Sequence, residues 1–134
     1  MPKHKYKARG LQACQKCTRP SRTAERRLTP SFRPSSQCPY CDGTVVFFAS
    51  TGEYKRFMEL WVLQRAGLIH DLTLQPSFNL AVNDHHICRY VADYTYTEAG
   101  KTVVEDFKGV RTKVFDLKAK LMLAIHGIKI FISK

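Results

Sequence analysis

The chain has 134 residues, 44% of them hydrophobic, and a formal net charge of +11 from 22 Lys and Arg against 11 Asp and Glu. That length suits about one domain with a small appendage, and no run reaches the ~18 apolar residues of a membrane span. The first 13 residues are basic and lack an apolar core, so no secretory signal is expected, and the thiols should sit in a reducing cytoplasm. The charge is uneven: residues 1–43 carry 10 basic and 2 acidic side chains, and residues 44–134 carry 12 and 9. A basic segment next to a nearly balanced domain points to a polyanion, with nucleic acid leading. An anionic membrane fits less well, because the segment has no amphipathic apolar face.

Within that segment Cys14 and Cys17 form one Cys-x-x-Cys pair and Cys38 and Cys41 another, with twenty residues between the pairs. A two-residue gap lets both sulfurs reach one ion, and four thiolates suit tetrahedral zinc, so the spacing predicts a structural zinc ribbon. The alternative is reduced, unliganded thiols or a disulfide. Pro39 and Gly43 suit tight knuckle turns. A redox role is disfavoured because neither pair opens a helix of thioredoxin type. The loop from Thr18 to Gln37 is too polar to form a core, so metal must supply much of its folding energy. Its arginines, Arg19, Arg22, Arg26, Arg27 and Arg33, are candidate phosphate contacts. The alternative for them is a solvated loop. Cys88 stands alone and reads as a small buried apolar residue.

Residues 44–134 then read as alternating elements. A helix is predicted over Thr51–Ala66, capped by Ser50 or Thr51, with Gly67 past its end. At 100° per residue Glu53 falls in line with Phe57, Leu60 and Gln64, an acid on or beside the apolar stripe. It is either functional or a favourable partner of the helix dipole. A strand follows from Leu72 to Val82, interrupted at Pro76, then a turn at Asn83-Asp84. Strands at Ile87–Thr97 and Lys101–Lys108 come next. Thr112 can cap a second helix over Lys113–His126, ending at Gly127, and Ile128–Ile132 form a last strand. The order is α-β-β-β-α-β. Lys113, Lys118 and Lys120, on or near the second helix, could grip a phosphate backbone or form a solvated face. His85, His86 and His126 lack ligand spacing and read as structural or exposed.

The most informative acids lie on the middle strands. Ala99-Gly100 separates Asp93 from Asp106-Phe107-Lys108. A two-residue hairpin loop there sets Asp93 opposite Asp106, with Cβ atoms about 4.5–5.5 Å apart. Carboxylates that close repel unless a divalent cation lies between them. Lys108 shares the Asp106 face because strand side chains alternate, while Glu105 points the other way with Val103 and Phe107. Such a face can hold a hard metal and stabilise charge on a phosphate. Ala is a poor residue at positive φ, so a three-residue loop bulged at Gly100 is the alternative. It would put Asp93 near both Glu105 and Asp106. A third reading is a hairpin edge with scattered surface charge.

A helical Glu, a strand Asp and Asp-x-Lys on the next strand of an α-β-β-β-α-β core resemble the PD-(D/E)XK nuclease superfamily. The chain is most similar to its phage and prophage branch, which looks like Holliday junction resolvases. The stretches that carry the likeness are Ser50-x-x-Glu53, Ala66-Gly67-x-Ile69-x-Asp71-Leu72, Leu74-Gln75-Pro76-x-Phe78, Ala92-Asp93-Tyr94 and Val104-Glu105-Asp106-Phe107-Lys108-Gly109-x-x-Thr112. The likeness covers residues 45–134 and leaves the four-cysteine segment outside. The resemblance implies a restriction-endonuclease-like α/β core over residues 44–134 behind a zinc ribbon at 1–43. It implies a Mg²⁺- or Mn²⁺-dependent DNA endonuclease in the host cytoplasm, acting in phage recombination or DNA processing. Asp93 and Asp106 would be metal ligands, Glu53 the remaining acid, Lys108 the group that orients water or neutralises phosphate, and Gln75 a supporting residue. Symmetric cleavage of a four-way junction would need two active sites, hence a homodimer. The competing expectation is a non-catalytic zinc-ribbon nucleic-acid-binding protein on a retired nuclease fold.

Overall fold

A computed structural model describes residues 11–20, 37, 38 and 40–134. The chain divides into two compact units, Met1–Met58 and Glu59–Lys134. The boundary falls inside a helix rather than after Gly43. The reason is local: β1 (Leu11–Cys14) pairs antiparallel with β2 (Val45–Phe48), Leu11 opposite Phe48 and Cys14 opposite Val45, so β2 stays with the cysteines.

In the first unit the start of α1 (Thr51–Arg65) is held to this ribbon by aromatic packing. Phe48 stacks on Phe57 at 5.3 Å and meets Tyr54 edge-on at 5.7 Å, and the Tyr54 hydroxyl donates to the Thr18 carbonyl at 2.8 Å. Phe57 and Leu60 are fully buried, as the stripe predicts. Ser50 Oγ accepts from the Glu53 N–H and Glu53 Oε2 accepts from the Ala49 N–H, a reciprocal cap on the helix start. At the other end Gly67 takes φ 76°, and the Leu68 N–H returns to the Leu63 carbonyl.

The second unit contains β3 (His70–Leu74), β4 (Ser77–Val82), β5 (His85–Val91), β6 (Tyr94–Glu98), β7 (Lys101–Phe107), α2 (Lys113–His126) and β8 (Phe131–Ser133). Four strands form a mixed sheet in the order β3-β6-β7-β8; β7 and β8 are parallel and joined through α2. The pair β4-β5 forms its own two-stranded ribbon. Each of the two long strands expected from the sequence is therefore divided between two sheets. The pairing nevertheless runs straight through: Leu74 opposes Tyr94 and Ser77 opposes Val91, and between them the Gln75 N–H bonds the Asp93 carbonyl while the Ala92 N–H bonds the Pro76 carbonyl. It is one long hairpin, bent at Gln75-Pro76 and Ala92-Asp93. Pro76 has no N–H to give, and Gln75 sits at φ 53°, so the regular pleat cannot continue there.

Both hairpin tips are tight. Asn83 and Asp84 take φ 50° and 63°, Ala99 and Gly100 take 47° and 75°, and Glu98 pairs with Lys101 across the second tip. These are two-residue turns with positive φ at both positions. Thr112 caps α2 through Phe115 N–H, and Gly127 at φ 69° ends it. The helix buries Phe115 and Met122 against Leu80, Tyr90, Ala92, Val104 and Ile130. Cys88 packs partly buried against this cluster, as a small apolar residue would. The last strand begins at Phe131, three residues later than the apolar run suggests. Among the described residues no helix is long and apolar enough to cross a membrane.

Candidate functional site

Two centres of chemistry-bearing side chains emerge, one in each unit. In the first, β1 delivers Cys14 and the turn after it delivers Cys17. A second turn delivers Cys38 and Cys41 ahead of β2. All four Sγ atoms lie within 4.8 Å of one another, with Cys14–Cys41 at 3.5 Å and Cys17–Cys38 at 3.7 Å. Zn–S bonds of about 2.3 Å give a tetrahedron with edges of about 3.8 Å, so the spacing fits such an ion. Backbone N–H groups of Lys16 and Cys17 point at Cys14 Sγ, and that of Gly43 points at Cys41 Sγ, where they favour thiolates. Gly43 is required: a Cβ there would lie 2.5 Å from Lys16 Cβ and 2.7 Å from Cys14 Sγ. A Lys16–Asp42 ion pair ties the two turns together on the surface.

Burial pushes the Cys14 thiol up to about 12, against its two backbone donors. Burial acts the same way on Cys38, but the Tyr40 N–H and the three neighbouring thiols outweigh it and bring Cys38 down to about 7. The four cysteines could hold a structural metal such as zinc.

The second centre is built on the hairpin bend. The β6–β7 register sets Tyr94 opposite Glu105, so the next pair outward is Asp93 and Asp106. The two-residue loop at Ala99-Gly100 fixes this register and excludes the bulged alternative. Asp93 Oδ2 accepts the Phe107 N–H at 2.7 Å, which holds its carboxylate against β7. Asp106 is 1% exposed; the Tyr90 hydroxyl donates to its Oδ2 at 2.5 Å, and Lys108 Nζ lies 3.0 Å from its Oδ1. That ammonium is close enough for an ion pair but poorly aligned for a hydrogen bond, so Oδ1 is buried with no well-directed donor. A buried carboxylate oxygen without an aligned donor carries a desolvation cost that a cation can offset. The Lys108 ammonium already occupies the cation position beside it. Below, the Phe115 ring lies 5.0 Å from Lys108 Nζ, and the Lys108 N–H bonds the Ser133 carbonyl. Burial, and then the Asp106 and Asp93 carboxylates, push the Tyr90 phenol well above its ordinary range, so it remains a hydrogen-bond donor.

Of the residues singled out by sequence, Asp93, Asp106 and Lys108 are brought together. Gln75 supports them through its backbone, donating to the Asp93 carbonyl at 2.9 Å. Glu53 belongs to the other compact unit, where it caps α1, and Ser50-x-x-Glu53 already carried the signature of that cap. Among the described residues the four cysteines are the only group of three or more metal-ligating side chains close enough to share an ion. Glu105 faces away from Asp106, as the alternation requires. It is not a surface charge, however: it is 0% exposed and accepts from the Tyr96 hydroxyl at 2.8 Å.

Among the basic residues, Arg19 lays its guanidinium over the exposed Tyr40 ring at 4.8 Å, and Lys113 and Lys120 are exposed on α2. Lys118 spans to the Arg89 carbonyl at 3.0 Å. Arg22, Arg26, Arg27 and Arg33 lie outside the described residues. Sequence reasoning missed Tyr90. A tyrosine on the core face of a strand needs a buried partner for its hydroxyl, which was the available signal. The partner's identity depends on the hairpin bend, which the strand pattern does not reveal.

A family model described as "Protein of unknown function (DUF1064)" matches residues 41–129. No curated protein and no solved structure matches the chain.

Proposed function

The chain belongs to the DUF1064 family, and we propose that it is a Mg²⁺- or Mn²⁺-dependent DNA endonuclease of PD-(D/E)XK type, with a zinc-holding ribbon that contacts DNA. The observation that carries this reading is Asp106 Oδ1, a buried carboxylate oxygen with no aligned donor, next to Asp93 and 3.0 Å from the Lys108 ammonium. Two acids facing each other at the end of a strand pair repel, and a cation between them reverses the sign of that interaction. The topology supports the same reading: a helix, three sheet strands in antiparallel order, a helix and a parallel strand, with β4-β5 as an extension of one hairpin.

The chemistry follows from the residue types. Asp93 and Asp106 would hold the divalent ion, which when bound supplies Lewis-acid stabilisation of the phosphate and an acidified water. Lys108 lies on the Asp106 face, and its side chain is 31% exposed. Its partly exposed ammonium would orient the attacking water or neutralise a scissile phosphate. The Phe107 N–H holds the Asp93 carboxylate against β7. The basic ribbon tethers DNA and raises its local concentration. A branched-DNA substrate and action as a homodimer go with this reading.

One observation favours the non-catalytic alternative: within its own unit the Glu53 carboxylate is engaged at the helix start, where it accepts the Ala49 N–H. Cleavage of four-way, nicked, single-stranded and linear DNA with Mg²⁺ or Mn²⁺ decides between them. The expected result is cleavage by wild type that Asp106→Asn abolishes with DNA binding kept, and that Lys108→Ala lowers with metal binding kept. Wild type that binds DNA and cuts none of the four establishes the retired-nuclease reading.

A further inference from the structure

We infer that Tyr90 is a positioning residue for metal binding: its hydroxyl occupies Asp106 Oδ2 so that only Oδ1 is presented to the ion. This rests on the assignment of Asp106 as a metal ligand. Tyr90 is 3% exposed and Asp106 1%, so water cannot replace either partner of their 2.5 Å hydrogen bond. A carboxylate can bind a cation through one oxygen or two. With Oδ2 held by a phenol, the plane of the Asp106 carboxylate is set, and Oδ1 faces Lys108. The ligand is thereby restricted to one oxygen, which suits the near-octahedral, short-bonded shell of Mg²⁺ better than the bidentate contacts that Ca²⁺ accepts.

Tyr90 is tied to Asp106 through its hydroxyl. Its ring packs between Phe78 at 6.3 Å and Phe115 at 6.4 Å. Tyr90 stands on β5, the strand that leaves the sheet at Ala92-Asp93, so the same bend that places Asp93 also delivers this hydroxyl to Asp106. Groups that hydrogen-bond a metal ligand orient it and raise affinity, and their removal typically costs about 10–100-fold in metal affinity or activity.

Tyr90→Phe removes one oxygen and leaves the ring packing in place. Phe78→Leu loosens the same ring cluster without touching the hydrogen bond. Mn²⁺ binding to full-length protein, followed by electron paramagnetic resonance, and the Mn²⁺ and Ca²⁺ dependence of cleavage and competition are read for wild type and both variants. Tyr90→Phe is expected to weaken Mn²⁺ binding about 10-fold or more and to narrow the preference for Mn²⁺ over Ca²⁺. Its cleavage rate should recover at saturating Mn²⁺. Phe78→Leu should lower the melting temperature and leave the metal midpoint unchanged. If wild type binds and cuts but Tyr90→Phe has its metal midpoint, or Phe78→Leu shifts that midpoint equally, the inference fails alone. If Asp106→Asn leaves wild-type Mn²⁺ binding unaltered, or wild type binds no Mn²⁺ beyond the cysteine cluster, the ligand assignment and the inference both fail.

Discussion

At the scale of single residues, two neighbouring acids of β7 sit in unlike surroundings. Asp106 and Glu105 are both buried and both accept a hydrogen bond from a tyrosine hydroxyl. Asp106 retains an oxygen without an aligned donor and lies beside Lys108, whereas Glu105 faces Tyr94 and Tyr96 on the opposite side of the sheet. Glu105 is buried and bonded to Tyr96, so its removal should show in stability. Glu105→Ala leaves the Tyr96 hydroxyl buried without that partner, a loss of about 1–3 kcal/mol. Glu105→Gln keeps an acceptor in place and should lose less. Urea denaturation of the two variants checks this, and equal stability of Glu105→Ala and wild type would contradict it.

At the scale of elements, the hairpin turns decide where Asp93 and Asp106 fall. The β6–β7 tip puts Ala99 at φ 47°, a conformation that costs an L-residue with a Cβ about 1–2 kcal/mol. The chain accepts this strain, and the two-residue loop keeps Asp93 opposite Asp106. Asn tolerates the left-handed region through its short polar side chain. Ala99→Asn should therefore raise the unfolding free energy by up to about 1 kcal/mol, measured in urea, with cleavage unchanged. A drop in stability would mean that the turn is held by something other than its backbone. The bend at Gln75-Pro76 does the complementary work on the other hairpin, turning β5 so that Tyr90 meets Asp106 from outside the main sheet.

At the scale of the whole molecule, basic charge and the four-cysteine cluster are concentrated in the same third of the chain. Residues 1–43 hold 10 of the 22 basic side chains, and the cysteine pairs flank the arginine-rich stretch on both sides. An ion held by the four cysteines would tie the two ends of that stretch together. Removing the ion with a chelator should weaken binding to all DNA sequences. It should also flatten the salt dependence, whose slope scales with the number of phosphates neutralised, about 0.9 per contact on duplex DNA. Filter binding at several salt concentrations, with and without chelator, measures both quantities. An unchanged slope would mean that the arginines serve something other than DNA.

The sequence by itself determined the alternation of elements, the two helices with their ends, the four-cysteine cluster and the facing of Asp93 and Asp106. These depend on local signals: residue spacing, cap and turn chemistry, and the period-two alternation of a strand. Tertiary structure alone decided that the long hairpin bends, that β2 belongs with the cysteines, and that Tyr90 and Tyr96 take opposite acids. Those outcomes depend on which backbone groups find partners across the fold and which hydroxyls become buried with which carboxylates. A strand pattern fixes the face on which a side chain stands, but its partner is fixed only when distant strands are brought into contact.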